Sequence, residues 1–191
     1  MVTSSSLLVI EPTALPGVLL ISPKRFGDHR GWFCETWNAN RLKEQGIDLS
    51  FVQDNQSFSA QKGTLRGLHF QIPPFAQDKL IRVLKGRILD IAVDLRHSSP
   101  TYGQHCAIEL SAENGKQLLV PKGFAHGFVT LEPNVEIFYK VTAPYSPEHD
   151  KGLIFDDPDL NIDWRFPHQD LELSDKDYLH PKFKDLPQWF D

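Results

Sequence analysis

Residues 88–95 alternate in character. Leu89, Ile91, Val93 and Leu95 fall on one side of an extended chain, and Ile88, Asp90, Ala92 and Asp94 on the other. A period of two with one mostly apolar face predicts a β-strand buried on that face. Shorter runs predict further strands at 18–21, 33–37, 51–59, 64–71, 80–84, 105–110, 117–120, 127–131 and 135–141. Turn chemistry separates them: Gln61-Lys62-Gly63, Gly86, Asn114-Gly115 and Pro133-Asn134. Residues 41–45 read as one or two helical turns ended by Gly46. A second short helix is expected at 174–178, capped by Ser174 with Asp177 three residues on. No helical pattern long enough to cross between parallel strands is present, so the pattern predicts a β-sandwich or barrel.

The chain has 191 residues, which suits one domain. We expect an N-terminal arm over residues 1–16 and a β-rich domain over 17–191. The Pro-, Asp- and aromatic-rich stretch after Pro158 would wrap that domain. A hydrophobic fraction of 40% and a charged fraction of 24% allow an ordinary buried core. A formal net charge of -5 argues against nonspecific nucleic-acid binding, which basic surface drives. Cys34 and Cys106 form neither a CxxC pair nor a zinc spacing. They point to a reducing cytoplasm, and a single disulfide between them stays open. The N-terminus lacks the pattern of a secretory signal, and no apolar run is long enough to span a membrane.

Two histidines stand out. On strand alternation, His69 shares a face with Leu65, Gly67 and Gln71, while Arg66, Leu68 and Phe70 face the other way. Gly67 would leave room for a ligand beside His69, although the position also suits a hydrogen-bonded core histidine. His126 follows Gly115, Pro121 and Gly123 at the spacing of the second cupin motif, with Thr130 in place of its final Asn. The first cupin motif would run from Gly63 to His69. Its next ligand position holds Gln71, and around Phe75 and Ala76 there is no carboxylate. A catalytic zinc or iron centre wants three protein ligands, usually His and carboxylate, so no metal is expected.

Five segments then occur in order: Phe26-Gly27-Asp28-His29-Arg30-Gly31, Gln53-Asp54-Asn55, Leu65-Arg66-Gly67-Leu68-His69, Gly123-Phe124-Ala125-His126-Gly127-Phe128 and Asp157-Pro158. Together they resemble the dTDP-4-dehydrorhamnose 3,5-epimerase family over most of the chain. The resemblance implies an all-β, cupin-type double-stranded β-helix jelly roll with short peripheral helices. It also implies a homodimer without a cofactor, acting on a dTDP-linked 4-keto-6-deoxy sugar. His69 matches the general base, Asp177 the acid that orients it, Lys79 the cation facing O4, and Tyr139 the proton donor on the opposite face. Arg30, Arg66 and His126 match diphosphate contacts; Gln53, Asn55, Glu35 and Lys176 match polar substrate contacts. Tyr145 matches the aromatic that stacks on thymine, and Phe26 a further base contact. Asp150 stands where the family usually has Glu.

Three alternatives remain at this stage. They are an epimerase of one carbon only, a metal-dependent cupin enzyme, and a sugar-nucleotide binding module without turnover.

Overall fold

The computed structural model describes residues 7–191; the first part of the expected arm, residues 1–6, lies outside the described residues. In chain order the strands are β1 (Leu8–Pro12), β2 (Leu19–Pro23), β3 (Arg25–Asp28) and β4 (Gly31–Cys34). A short helix, α1 (Ala39–Glu44), precedes β5 (Gln53–Ser59), β6 (Leu65–Gln71), β7 (Lys79–Lys85) and β8 (Arg87–Asp94). Then come β9 (His105–Ser111), β10 (Gln117–Val120), β11 (Phe124–Thr130), β12 (Val135–Val141) and β13 (Asp150–Gly152). Only single 3-10 turns follow.

Two antiparallel sheets face each other, in the orders β1-β2-β10-β7-β12-β5 and β13-β6-β11-β8-β9. Between them packs a core of Ile81, Val83, Leu118, Val120, Val135 and Ile137 from one sheet and Ile88, Ala92, Cys106, Leu110, Phe124 and Phe128 from the other. This is the expected β jelly roll. The β3-β4 hairpin stands apart as its own two-stranded sheet.

The alternation in β8 has a second meaning. Both of its faces are buried, not one. Ile88 and Ala92 look into the space between the sheets. Leu89, Ile91 and Val93 instead meet the C-terminal wrap, through Leu153, Phe155, Leu160, Trp164 and Leu171. Trp164 anchors this layer: it is 2% exposed, and its Nε1 donates to the Phe155 carbonyl at 2.8 Å. A buried indole gains apolar area only if its N–H finds an acceptor, and here it does.

Other local expectations shift. Leu8–Pro12, read from sequence as part of a loose arm, form the outermost strand of the larger sheet, with Leu8 and Ile10 packed on the cluster around Ile21, Leu80 and Leu119. The strand expected at 33–37 starts earlier, as β4, because it pairs with the unexpected β3 across a tight hairpin. Arg25 steadies that hairpin, with its guanidinium 4.2 Å from the Trp32 ring and bonds to the Ala112 and Glu113 carbonyls. β11 starts at Phe124, earlier than its apolar pattern suggested, and β13 exists because its backbone pairs with β6. The helix near 39–44 is capped by Asn38, whose side chain accepts from the Arg41 N–H at 3.2 Å. Expected helix 174–178 is a single 3-10 turn at Asp177–Leu179, with the Ser174 hydroxyl accepting from the Asp177 N–H at 3.4 Å. Cys34 and Cys106 are both free, so the disulfide left open by the sequence is not formed.

Candidate active site

The site begins with a break in register. β6 and β11 pair His69 with His126 and Arg66 with Phe128, so β6 carries one residue more than β11 between these pairs. A bulge of this kind reverses the side-chain alternation beyond it. Arg66 and His69, placed on opposite faces by simple alternation, therefore line the same cavity. Gly67 makes the bulge possible. Its φ is +123°, and a Cβ there would lie 2.6 Å from the Gly127 Cα and 2.8 Å from the His126 carbonyl oxygen. Only a residue without a side chain fits.

The C-terminal wrap supplies the partner of His69. A bridge between Thr64 and Glu172 lays the wrap alongside the start of β6. Farther on, the Ile154 N–H bonds to the Pro181 carbonyl. Between these ties, Asp177 is carried to the histidine: its Oδ1 lies 2.7 Å from His69 Nε2. Asp177 is buried, whereas His69 is a third exposed, toward the cavity. Burial alone would raise the Asp177 carboxyl. The ring nitrogens of His180 and His69 beside it, the His69 charge and the Ser174 hydroxyl outweigh that and hold it well below the usual carboxylate range. An ionised carboxylate on one ring nitrogen fixes the tautomer and leaves the other nitrogen available as a base.

Across the cavity stand the groups of the facing sheet. Lys79, at the start of β7, donates from Nζ to the His69 carbonyl at 3.1 Å. Burial pulls its ammonium down to about 8, against the pull of the Asp150 and Asp90 charges. Tyr139 sits on β12 in register with Asn55 on one side and Ile81 on the other. It lines the cavity, and burial pushes its phenol up, opposed by Arg66 and aided by Asp150. His126 completes the wall, with Nε2 2.7 Å from Oδ1 of the fully buried Asp90. The cavity measures about 440 Å³. That is within the usual range for a small-molecule site.

The cupin metal position can be tested on the donor atoms. Gln71 is buried, and its amide is spent on the loop around it: Nε2 donates to the Phe75 and Pro144 carbonyls, and Oε1 accepts from the Ser146 N–H. His126 is turned to Asp90. These residues do not fit the three-ligand centre of a metal-dependent cupin.

Among the residues expected from sequence, the cavity brings together Arg66, His69, Lys79, His126, Tyr139, Lys176 and Asp177. Asp150 lies beside them, with Oδ2 2.6 Å from Lys176 Nζ and 3.4 Å from the Tyr145 hydroxyl. Gln53 and Asn55 bond to each other at 2.8 Å, and Gln53 also accepts from the Tyr145 N–H. The structure does not bring Phe26, Arg30 or Glu35 to this cavity. Phe26 and Arg30 line a shallow depression on the β3-β4 hairpin, and Glu35 pairs with Arg41 at 2.6 Å. Sequence reasoning missed Asp90 and His180. Acids among the buried apolar positions of β8, Asp90 and Asp94, were the available signal for Asp90, since a buried carboxylate needs a partner. His180 follows Asp177 by three residues, the spacing that a 3-10 turn brings onto one side.

Comparison with known proteins agrees with this geometry. A family profile described as dTDP-4-dehydrorhamnose 3,5-epimerase matches residues 12–185. A dTDP-4-dehydrorhamnose 3,5-epimerase of Sinorhizobium fredii is 50% identical over 183 residues, 96% of this chain and 93% of that protein. The crystal structure of the Bacillus anthracis enzyme of the same name, with TDP and PPi bound, is 48% identical at a TM-score of 0.89, covering 92% of this chain and 99% of that one. The Legionella pneumophila dTDP-6-deoxy-D-glucose-3,5-epimerase, in complex with dTDP-4-keto-L-rhamnose, is 44% identical at a TM-score of 0.89, over 94% of this chain and 95% of that one. With its jelly roll, its paired His69 and Asp177, and these relatives along nearly its whole length, the chain belongs to the dTDP-4-dehydrorhamnose 3,5-epimerase family.

Proposed function

We propose that this chain converts dTDP-4-dehydro-6-deoxy-D-glucose into dTDP-4-dehydro-L-rhamnose by inverting C3 and C5, a step in making dTDP-L-rhamnose for surface polysaccharide. The single observation that carries the reading is that His69, held by Asp177 at 2.7 Å, shares one cavity with Tyr139 and Lys79 from the opposite sheet. Inversion next to a ketone needs a base on one face, an acid on the other and a charge near the ketone oxygen.

The steps follow from those positions. The free nitrogen of His69 takes the proton from C5 or C3. The C–H electron pair moves into a C–C double bond, and the C4 ketone oxygen becomes an enolate oxygen. Lys79 stabilises that oxygen; one fixed donor of this type is typically worth about 3–4 kcal/mol. The Tyr139 hydroxyl then delivers a proton to the other face of the same carbon, and the ketone reforms. Solvent returns a proton to Tyr139 and takes one from His69 before the second carbon reacts. Arg66, His126 and Lys176 bind the diphosphate and sugar from the cavity wall, and Tyr145, Asp150, Gln53 and Asn55 form the nucleotide side. Arginine suits the diphosphate because its planar fork pairs with two oxygens at once.

A homodimer belongs to the same reading. Phe26, Trp32 and Phe33 on the β3-β4 hairpin are exposed at 45%, 59% and 69%. An apolar hairpin of this kind calls for a cover. In the dimer we propose, Phe26, Arg30 and Glu35 reach the partner's cavity. Mixing R30A with H69A protein then regenerates activity in mixed dimers, and failure to regenerate it rules the exchange out. Free cysteines and the absence, among the described residues, of any helix long and apolar enough to cross a membrane agree with a cytoplasmic enzyme.

The deciding experiment is epimerisation in D₂O. Both C3 and C5 of the product acquire deuterium if the reading holds. Deuterium at one carbon alone means a single-carbon epimerase, and none at either, with dTDP still bound, means a binding module.

A further inference from the structure

His69 and Asp177 of the cavity wall have a buried neighbour that this chemistry does not use, His180. A ring nitrogen of His69, a carboxylate oxygen of Asp177 and a ring nitrogen of His180 all lie within 4.8 Å of one another. The His180 side chain is only 9% exposed. Its Nε2 is buried without a hydrogen-bond partner, 3.5 Å from Asp177 Oδ1. The ring is locked in that direction. It stands edge-on to His69, with centroids 5.5 Å apart and planes at 81°, and it fills the space that a Cβ at Gly152 would need. Its nearest acceptor, Asp177 Oδ1, is already taken up by His69 at 2.7 Å, and its aim toward that carboxylate and a second imidazole suits a cation between them.

We propose that His69, Asp177 and His180 form an inhibitory site for a zinc-type divalent ion. Two imidazoles and one carboxylate are a donor set of open zinc sites. Zinc–ligand bonds of about 2.0–2.2 Å put tetrahedral ligand atoms roughly 3.3–3.5 Å apart. The 3.5 Å between His180 Nε2 and Asp177 Oδ1 already fits that spacing, and a small rotation of the His69 ring opens its 2.7 Å contact to match. The open fourth position faces the cavity along His69, the exposed member. Hard ions that prefer oxygen, such as Mg²⁺, are poorly served by this set. The site differs from the cupin centre: it shares only His69, and it replaces the strand ligands with residues of the C-terminal wrap. A bound ion takes the place of the proton between His69 and Asp177 and separates the base from the carboxylate that orients it. Turnover stops while the diphosphate contacts remain.

The test uses the full-length, chelator-treated protein with Zn²⁺ at buffered free concentrations. Micromolar Zn²⁺ should abolish deuterium exchange at C3 and C5 and leave dTDP binding unchanged, and chelator should restore exchange. Millimolar Mg²⁺ should do nothing. His180→Asn should weaken zinc inhibition by at least about tenfold, each protein being judged against its own metal-free rate. Co²⁺ provides an arm that reads no catalysis, so it stands even if the epimerase reading fails. Its visible absorption band should appear with the unsubstituted protein at one ion per chain and be lost in both H180N and H69A. If H180N does not fold, as judged by dTDP binding, H69A and the unsubstituted protein still decide the cobalt arm. Unchanged zinc inhibition in folded H180N, no inhibition of the unsubstituted protein by micromolar Zn²⁺, or a cobalt band indifferent to H69A overturns the proposal.

Discussion

Lys79 and His69 are tied to one another through the backbone, with Lys79 Nζ donating to the His69 carbonyl oxygen at 3.1 Å. The cation meant for the enolate oxygen is thereby fixed relative to the base meant for the carbon proton. Preorganisation of this kind lets a charge act without reorganising at the moment of reaction.

The first prediction concerns pH. Burial holds Lys79 down to about 8. A lysine is charged below its pKa and neutral above it, so the electrostatic group is present at neutral pH and lost as pH rises through about 8. We expect kcat/KM, which reports the free enzyme, to fall about tenfold per pH unit beyond that point. Lys79→Arg keeps its charge and should move this alkaline limb out of the measurable range, at a lower plateau because the guanidinium is larger. Lys79→Met should lose the limb and about 10²–10³-fold in kcat. A limb near pH 8 that persists in both variants assigns it to another group.

A second prediction isolates the carboxylate. Asp177→Asn keeps the shape beside His69 but removes the negative charge and lets the imidazole adopt the wrong tautomer. kcat should drop about 10²–10⁴-fold, with dTDP affinity unchanged. Steady-state kinetics and calorimetric dTDP titration measure the two effects separately. A variant with near-normal kcat would remove Asp177 from its orienting role.

Tyr139 allows a sharper separation of the two faces. Burial pushes its phenol up, so it remains a proton donor across the working range. In Tyr139→Phe the base still removes a proton and can return one to the same face. Deuterium should therefore enter recovered substrate without inversion, while product formation falls by at least about 10²-fold. Mass spectrometry of the substrate pool and NMR of the product distinguish the outcomes. Parallel loss of exchange and product would mean that Tyr139 is needed for proton removal itself.

The parts of this site differed in how far the sequence disclosed them. Tyr139 faces the cavity as strand alternation predicts, because β12 pairs regularly beside Asn55. The two-sheet architecture was also readable, since many short strands recur with turn residues between them. Alternation misplaced Arg66 relative to His69, because the extra residue in β6 only becomes visible when β11 is laid beside it. Burial of both β8 faces was hidden for a similar reason: the second face is covered by a wrap with no period of its own. Asp177 was reached only through family resemblance. It lies 108 residues from His69, on a single 3-10 turn whose position is set by tertiary contacts. Asp90 was missed because its partner His126 lies on another strand, and His180 because its neighbour Asp177 gains meaning only from the distant His69.

That bulge supplies the last prediction. Gly67→Ala places a methyl group 2.6 Å from the Gly127 Cα and 2.8 Å from the His126 carbonyl oxygen, at a φ of +123° that L residues avoid. Neither neighbour is a flexible side-chain end, so the strands must part. The positive φ and the overpacking each cost on the order of 1–3 kcal/mol, and urea unfolding should show a loss within that range or above it. Parting β6 from β11 also moves His69 relative to Asp177 and Tyr139. Misplacement by about 1 Å costs on the order of 10²-fold in rate. The folded fraction of G67A should thus be slow as well as unstable. If it turns over at the normal rate once corrected for folding, the bulge serves packing alone and does not set the position of the base.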